Sequence, residues 1–265
     1  MGMIINPYLV QPSGPSYGTL TTAWIAATGE TNLTILGALN TLESDLTTYG
    51  LTSKMKALYP MVGGTSTKHS YNFMNTAQYQ ITWFGGVTHT STGSISNVLN
   101  GYGKTGLVPS TSIFTNNQNI HQSFYSRTNN TTAGYEMGAS TNAVGNEFHL
   151  ICKYSNGNQY ALYTSTAVSA NSDSRGHYMA LSVAAGVKTV KNGSVTNTAG
   201  VSTTNLSAYT TQDIAIFGDN RMGIVTEYSS KECAFASIGL GLTDTEVANF
   251  YTAVQAFQTT LGRQV

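Results

Sequence analysis

Two Asn-Gly dipeptides restrict this chain more than any other feature. Asn156-Gly157 lies between Cys152-Lys153-Tyr154 and Tyr160-Ala161-Leu162. Asn192-Gly193 lies between Val187-Lys188-Thr189-Val190 and Ser194-Val195-Thr196. A tight type I′ turn needs positive φ at both central residues, which Asn-Gly adopts readily, so each pair predicts an antiparallel hairpin. Further short strands are predicted at Tyr79 to Phe84, Ile120 to Tyr125, Phe148 to Tyr154, Tyr160 to Thr164, His177 to Val183 and Asp213 to Phe217. Ile120, Gln122 and Phe124 alternate with His121, Ser123 and Tyr125, the two-residue period of a strand. No helical segments alternate with these strands, which argues for an antiparallel sandwich and against a parallel α/β sheet. The polar segments 126–146 and 165–176 read as long loops.

The ends of the chain differ from this middle. Residues 1 to about 30 hold Pro7, Pro12, Gly14 and Pro15 and read as an extended arm. A helix follows, from Asn32 to Tyr49, with Leu33, Leu36, Leu39, Leu42 and Leu46 on one stripe. Gly50 fits its left-handed stop and Leu51 the hydrophobic contact after it. Thr52 to Leu58 reads as a second helical turn that must end before Pro60. At the other end, Thr243-Asp244-Thr245-Glu246 is a capping box. The helix it opens carries Val247, Phe250, Tyr251, Val254, Phe257 and Leu261 on one face, with Gly262 as its stop. The domain division read from this pattern is an N-terminal arm and helical anchor over 1–60 and a sandwich with a C-terminal helix over 61–265.

Composition narrows the function classes. Only 9% of the 265 residues are charged, with twelve bases and twelve acids. That leaves neither a phosphate-neutralising patch nor a polybasic membrane anchor, so no nucleic-acid or membrane partner is expected. No apolar run approaches the roughly 18 residues of a span. Ser, Thr and Asn fill about a third of the chain, so the exposed surface is built from hydroxyls and amides. Cys152 and Cys233, the two cysteines, each fall in an apolar stretch and read as buried reduced thiols.

No local motif announces chemistry. Gly101-Tyr102-Gly103-Lys104-Thr105-Gly106 has the letters of a dinucleotide loop, but Leu107-Val108-Pro109-Ser110 cannot open the helix that such a loop needs. Gly239-Leu240-Gly241-Leu242 does precede a helix but lacks the third glycine. His69, His89, His121, His149 and His177 form no local metal clamp. Glycoside hydrolysis needs two placed carboxylates. Glu43 and Asp45 lie close in sequence but on the first helix, while Glu136, Glu147, Asp173, Asp213, Asp219, Glu227 and Glu232 are scattered. The expectation is therefore a non-enzymatic protein with no catalytic, cofactor or metal-binding residues. Glycan binding stays open: Tyr102, Tyr125, Tyr135 and Tyr154, with Asn-rich neighbours, supply the ring faces and amides that sugars use.

Two blocks carry a family resemblance. Leu51-Thr52-Ser53-Lys54-Met55-Lys56-Ala57-Leu58-Tyr59-Pro60-Met61-Val62-Gly63-Gly64-Thr65 resembles the opening segment of a group of bacteriophage virion surface proteins. Ala234-Phe235-Ala236-Ser237-Ile238-Gly239-Leu240-Gly241-Leu242-Thr243-Asp244, running into Phe250 to Arg263, resembles their C-terminal ending. The strands between look like a concanavalin A-like (LamG-type) jelly roll. The resemblance implies a mostly β protein that serves as a structural component of a capsid, head fibre or tail fibre. It implies other virion proteins or further copies of the chain as partners, assembly in the host bacterial cytoplasm, and the virion as location. It transfers no functional residues. An adhesion protein that binds host-surface glycans through sandwich loops is the alternative, and a glycan hydrolase a third, since one fold hosts all of these.

Overall fold

A computed structural model describes residues 15–112, 114, 118–142 and 145–265. The helices are α1 (Thr19–Thr28), α2 (Leu33–Thr48), α3 (Ser66–Ser70) and α4 (Asp244–Thr260). The strands are β1 (Met55–Tyr59), β2 (Thr82–Phe84), β3 (Val87–Thr90), β4 (Gly93–Ser96), β5 (Tyr102–Lys104), β6 (Asn119–Ser126), β7 (Met137–Ser140), β8 (Glu147–Ile151), β9 (Asn158–Leu162), β10 (Thr166–Ala170), β11 (Gly176–Val183), β12 (Gly186–Lys191), β13 (Ser194–Thr198), β14 (Ala215–Ile216), β15 (Asp219–Arg221), β16 (Ile224–Thr226) and β17 (Cys233–Gly239).

These strands form two sheets. The first runs β13-β12-β11-β6-β17-β4-β3, with β1 also on β17. The second runs β10-β9-β8-β7-β14-β5-β2, with the β15–β16 hairpin joined to β7. Among the described strands every pairing is antiparallel except β15 with β7. The chain is thus a mostly β sandwich of two antiparallel sheets with a C-terminal helix, as the strand pattern predicts.

The hairpins form for the reason the sequence gives, with one refinement. Asn192 (φ 48°) and Gly193 (φ 77°) both sit in the left-handed region, and Lys191 pairs with Ser194 across a two-residue turn. At Asn156-Gly157 only the glycine does (φ 79°). Gly157 N donates to Tyr154 O and Tyr154 N to Asn158 O, so this is the longer turn with a glycine bulge.

Three layers result. Between the sheets lies a core that includes Tyr59, Phe124, Met137, Phe148, Leu150, Tyr178, Phe217 and Ile238. A second core lies between the outer face of the first sheet and the helices: Trp24, Leu39, Leu42, Tyr125, Met179, Phe235, Val247, Phe250, Val254 and Phe257. Strand alternation feeds both, since Phe124 points into one core and Tyr125 into the other. The first sheet is therefore covered on both faces, and its central strands β6, β11 and β17 are almost wholly buried. The second sheet has part of its outer face crossed by the segment at Gly218 and Asp219 and the remainder turned toward solvent.

Several expectations are corrected. Residues 1–14 of the predicted arm lie outside the described residues, but residues 19–28 are the helix α1. Its own sequence has no cap. Instead Glu43 on α2 accepts hydrogen bonds from Leu20 N and Thr21 N (both 2.9 Å) and from Thr21 Oγ1, and Asn40 accepts from Gly18 N. Met55–Tyr59 is a strand, preceded by one 3-10 turn at Thr52–Lys54, and not a helical continuation; register with β17 decides it. The predicted loops 126–146 and 165–176 contain β7 and β10. Leu33, assigned to the α2 stripe, is 69% exposed, because it opens the helix before the buried face begins. The α2 stripe itself packs against α4.

The helix ends follow the sequence. Asn32 accepts from Thr34 N and Ile35 N. Leu51 N returns to Leu46 O across Gly50 (φ 68°), and Leu51 is fully buried. Thr243 and Glu246 form the reciprocal box, at 3.2 and 2.7 Å.

α4 lies over two buried histidines. His177 is enclosed by Tyr125, Phe235, Phe250 and Tyr251, and among the described residues neither ring nitrogen has a partner. Burial lowers its pKa to about 3; burial likewise lowers His121 to about 4 and His69 to about 3. Below pH about 6.5 the unfolded chain binds protons that these folded sites refuse. Stability is therefore expected to fall as pH drops from about 6.5 toward 3. His177→Phe removes two unsatisfied polar atoms and is expected to stabilise by about 1–2 kcal/mol, while flattening that acid slope. Thermal melts of both proteins between pH 7 and pH 4 check this; an unchanged slope would refute the assignment.

Candidate functional site

The open face of the second sheet holds the candidate site. Phe148 and Leu150 of β8 and Ala161 of β9 point into the core, so His149, Ile151, Tyr160 and Leu162 point outward. Tyr154 and Asn156 come from the turn joining these strands, and Tyr135 from just before β7. Together Tyr135, Ile151, Tyr154, Asn156, Tyr160 and Leu162 line a cleft of about 240 Å³. The Tyr154 ring lies 6.5 Å from Tyr135 and 6.2 Å from Tyr160. Asn156 Nδ2 donates to the Tyr160 hydroxyl, which holds that ring upright at the rim.

A polar cluster lies beneath Tyr135. Its ring packs on His149 at 4.6 Å. His149 Nε2 is 3.0 Å from Asp219 Oδ1, a close contact without hydrogen-bond alignment. Asp219 Oδ2 accepts from Ser140 Oγ at 2.6 Å and lies 3.2 Å from the Arg221 guanidinium. Asp219 is fully buried. Burial alone would raise its pKa, but the His149 ring, the Ser140 hydroxyl and Arg221 outweigh that and hold it below the usual carboxylate range. Tyr135 is pushed up to about 12 by burial, then by the Glu227 and Asp219 carboxylates. It is thus a neutral hydroxyl at any physiological pH, suited to hydrogen bonding and stacking and not to nucleophilic attack.

Gly138 makes this crossing possible. A Cβ there would lie 2.7 Å from His149 and 3.2 Å from the Asp219 backbone. Phe217, with φ 68°, turns the chain out of β14: its ring stays in the core while Gly218 and Asp219 fold across the sheet's outer face.

The other sequence candidates separate. Tyr102 is on the same open face, stacked on Phe84 at 4.9 Å. Tyr125 is buried under α4, bonded to Gln255 and to Val265 N, so it offers no ring to a ligand. Residues 101–106 include the strand β5, and a Cβ on Gly103 would strike Trp83. Gly239 and Gly241 are close-packing positions, against Lys54 O and Val183. His121 Nδ1 donates to Leu240 O at 2.6 Å and Nε2 faces Ser237 Oγ at 3.1 Å, a Ser-His contact sealed beneath Phe250. His69 and His89 meet through their Nδ1 atoms at 3.0 Å. Among the described residues no three His, Cys, Asp or Glu side chains converge on one point. Cys152 and Cys233 are both buried free thiols. Glu136 pairs with Lys231, Asp173 with Arg175 and Glu232 with Arg127. Asp213 accepts from Gly106 N and Asn220.

A larger hollow of about 440 Å³ lies between Asn119, Val183, Lys188 and Asp244. Its one helix N-terminus is already capped by Thr243 and Glu246, and its lysine is held by Asp244. The sequence reading missed Tyr160 as a site residue. Its signal was present, since Tyr154 and Tyr160 flank the Asn156-Gly157 turn.

No protein-family model matches the chain, and no curated protein matches it in sequence. Solved structures resemble its fold. One is domain 4 of AbnA, an extracellular GH43 arabinanase from Geobacillus stearothermophilus, in complex with arabinotriose: 14% identity, TM-score 0.47, covering 74% of this chain and 98% of that one. Another is a mutant Trypanosoma rangeli sialidase with trans-sialidase activity: 9% identity, TM-score 0.48, covering 84% of this chain and 39% of that one. A leech intramolecular trans-sialidase follows, at 11% identity and TM-score 0.32, covering 50% and 23%. The likeness is one of fold only.

The expectation of a non-enzymatic protein is corrected at this point. It rested on carboxylates scattered along the chain, whereas the fold sets Asp219 against His149 beneath the Tyr135 ring, with the Glu227 charge acting on the same tyrosine. Nor does a β-sandwich exclude catalysis, since one fold hosts binding modules and hydrolases alike. The exclusion is withdrawn.

Proposed function

We propose that this chain binds uncharged glycans at the Tyr135–Tyr154–Tyr160 cleft. The observation that carries the reading is the three half-buried tyrosine rings around one hollow, with an amide at the rim. Sugar rings present flat C–H faces to aromatic rings and hydroxyls to amides, and the cleft offers both. Its charge supports a neutral ligand. Arg221, the nearest cation acting on Tyr135, is engaged by Asp219, while the exposed Glu227 carboxylate lies on the same side. A carboxylated sugar would meet net repulsion there.

The test is titration with neutral oligosaccharides and with oligogalacturonides of equal length. Tyr154→Ala is expected to weaken neutral-sugar binding about tenfold, roughly 1.4 kcal/mol, with an unchanged melting temperature because the ring is at the surface. Equal binding by the variant would sink the cleft. Release of reducing sugar during the same titration would mark the cleft as an active site.

The setting we propose is the surface of a bacteriophage particle, with other virion proteins as partners and host-surface glycans as ligands. Its basis is the resemblance of residues 51–65 and 234–263 read from the sequence. The two segments that carry the family resemblance are one assembled unit: β1 pairs with β17, and Arg263 binds the carbonyls of Pro60 and Met61. Mass spectrometry of purified particles tests the assignment, and absence of the chain from them would refute it.

A further inference from the structure

We infer that the site is a row and not a single cleft, and that it takes a linear, uncharged oligosaccharide laid across the strands. The inference rests on the proposed glycan-binding reading and extends it to the opposite flank of the sheet. Tyr160 ends a line of aromatic residues that continues through Tyr154, Tyr135, Tyr228 and Tyr102 to Phe84. Successive rings lie 6.2 Å (Tyr160–Tyr154), 6.5 Å (Tyr154–Tyr135), 6.2 Å (Tyr228–Tyr102) and 4.9 Å (Tyr102–Phe84) apart. Between Tyr135 and Tyr228 the link is a direct backbone bridge. None of the six is buried, and Phe84 is 39% exposed.

Strand register shows that the two flanks stand level. Ile151 pairs with Tyr160 and Leu150 with Ala161; Leu150 pairs with Met137, Met137 with Ile216, and Ile216 with Gly103. Phe84 pairs with Tyr102, the neighbour of Gly103. Gly103 faces the core side, toward Ile81 and Trp83, so Tyr102 and Phe84 face outward on the side that carries Tyr160. Four inter-strand steps separate β9 from β5. At about 4.8 Å each they span roughly 19 Å, room for about four sugar rings in line.

The charges along this row are largely matched. Lys104 lies 4.0 Å from Asp213 and donates to Gly223 O, Arg221 lies 3.2 Å from Asp219, and Glu227 adds one exposed carboxylate. Such a surface complements a ligand without charge. A second apolar feature, Met222 and Ile224 at 55% and 71% exposure, sits at the turn of the β15–β16 hairpin beside Gly223 and flanks the row.

The experiment is isothermal titration of the whole chain with xylo-, malto-, cello- and arabino-oligosaccharides of two to six units. For the ladder that binds, affinity is expected to rise at least tenfold from the disaccharide to the tetrasaccharide. The double variant Phe84→Ala/Tyr102→Ala is expected to erase that rise while leaving disaccharide affinity within twofold. Tyr154→Ala is expected to weaken every member. Binding that depends on Tyr154 but not on length, or a length dependence untouched by the double variant, overturns the row and leaves the cleft standing. Failure of every ladder to bind overturns the cleft reading and the row together. Melts of each variant confirm that the sandwich is intact.

Discussion

Arg263→Ala is expected to destabilise the protein by about 3–5 kcal/mol, lowering its melting temperature by roughly 10 °C. The side chain is 2% exposed. Its guanidinium donates to Met61 O at 2.7 Å, Ala234 O at 3.1 Å and Pro60 O at 3.2 Å, and Nε donates to Gln258 Oε1 at 3.0 Å. Among the described residues no carboxylate pairs with it; the charge is held by these acceptors and by the Phe257 ring at 5.5 Å. Removing it strands buried carbonyls on the segment after β1 and on β17, and unties the end of α4. Arg263→Lys should recover little, because an ammonium cannot present the planar fork that reaches three carbonyls on two segments. Denaturant unfolding measures both. A loss below about 1 kcal/mol for the alanine variant would mean that water replaces the guanidinium and that the clamp is not structural.

Lys231→Met is expected to cost a similar amount, about 3–5 kcal/mol, and also to weaken glycan binding. Lys231 and Glu136 are both fully buried, 3.1 Å apart. Glu136 also accepts from Ser229 Oγ and from Cys152 N. It therefore ties the residues entering β7, next to Tyr135, to the end of β8, which leads to Tyr154. Losing the lysine leaves a buried carboxylate without its counter-charge between the two tyrosines that define the cleft. The double variant Glu136→Gln/Lys231→Met should be more stable than Lys231→Met, since the amide oxygen can still accept from Cys152 N and the amide NH2 can donate to Ser229 Oγ, while no charge is buried. If the double variant is as unstable as the sum of its parts, the pair is not coupled and this account fails.

The two segments from which a virion role is proposed, 51–65 and 234–263, meet in the fold. Those are the segments joined by the β1–β17 pairing, by the Arg263 clamp and by the docking of α4. The cleft lies elsewhere, on loops and strands that these two segments do not include.

What the sequence determined alone was whatever contiguous residues settle among themselves. The Asn192-Gly193 turn, the Gly50 stop and the Thr243–Glu246 box are hydrogen-bond geometries closed within a few residues, so they are legible in the chain. The leucine and phenylalanine stripes of α2 and α4 are equally local. The tertiary structure decided the rest. Met137-Gly138-Ala139-Ser140 contains no β-branched or aromatic residue, yet it is a strand because β8 and β14 hold it on both sides. Thr19–Thr28 is a helix because Glu43, far along the chain, caps it. The candidate site follows the same rule. Tyr154 and Tyr160 flank one turn and could be read together, but Tyr135, Asp219 and Tyr228 reach them only through cross-strand register and the bend at Phe217. Local hydrogen bonds are written in neighbouring residues; a site assembled across a sheet is written in which strands pair, and no short stretch of sequence contains that.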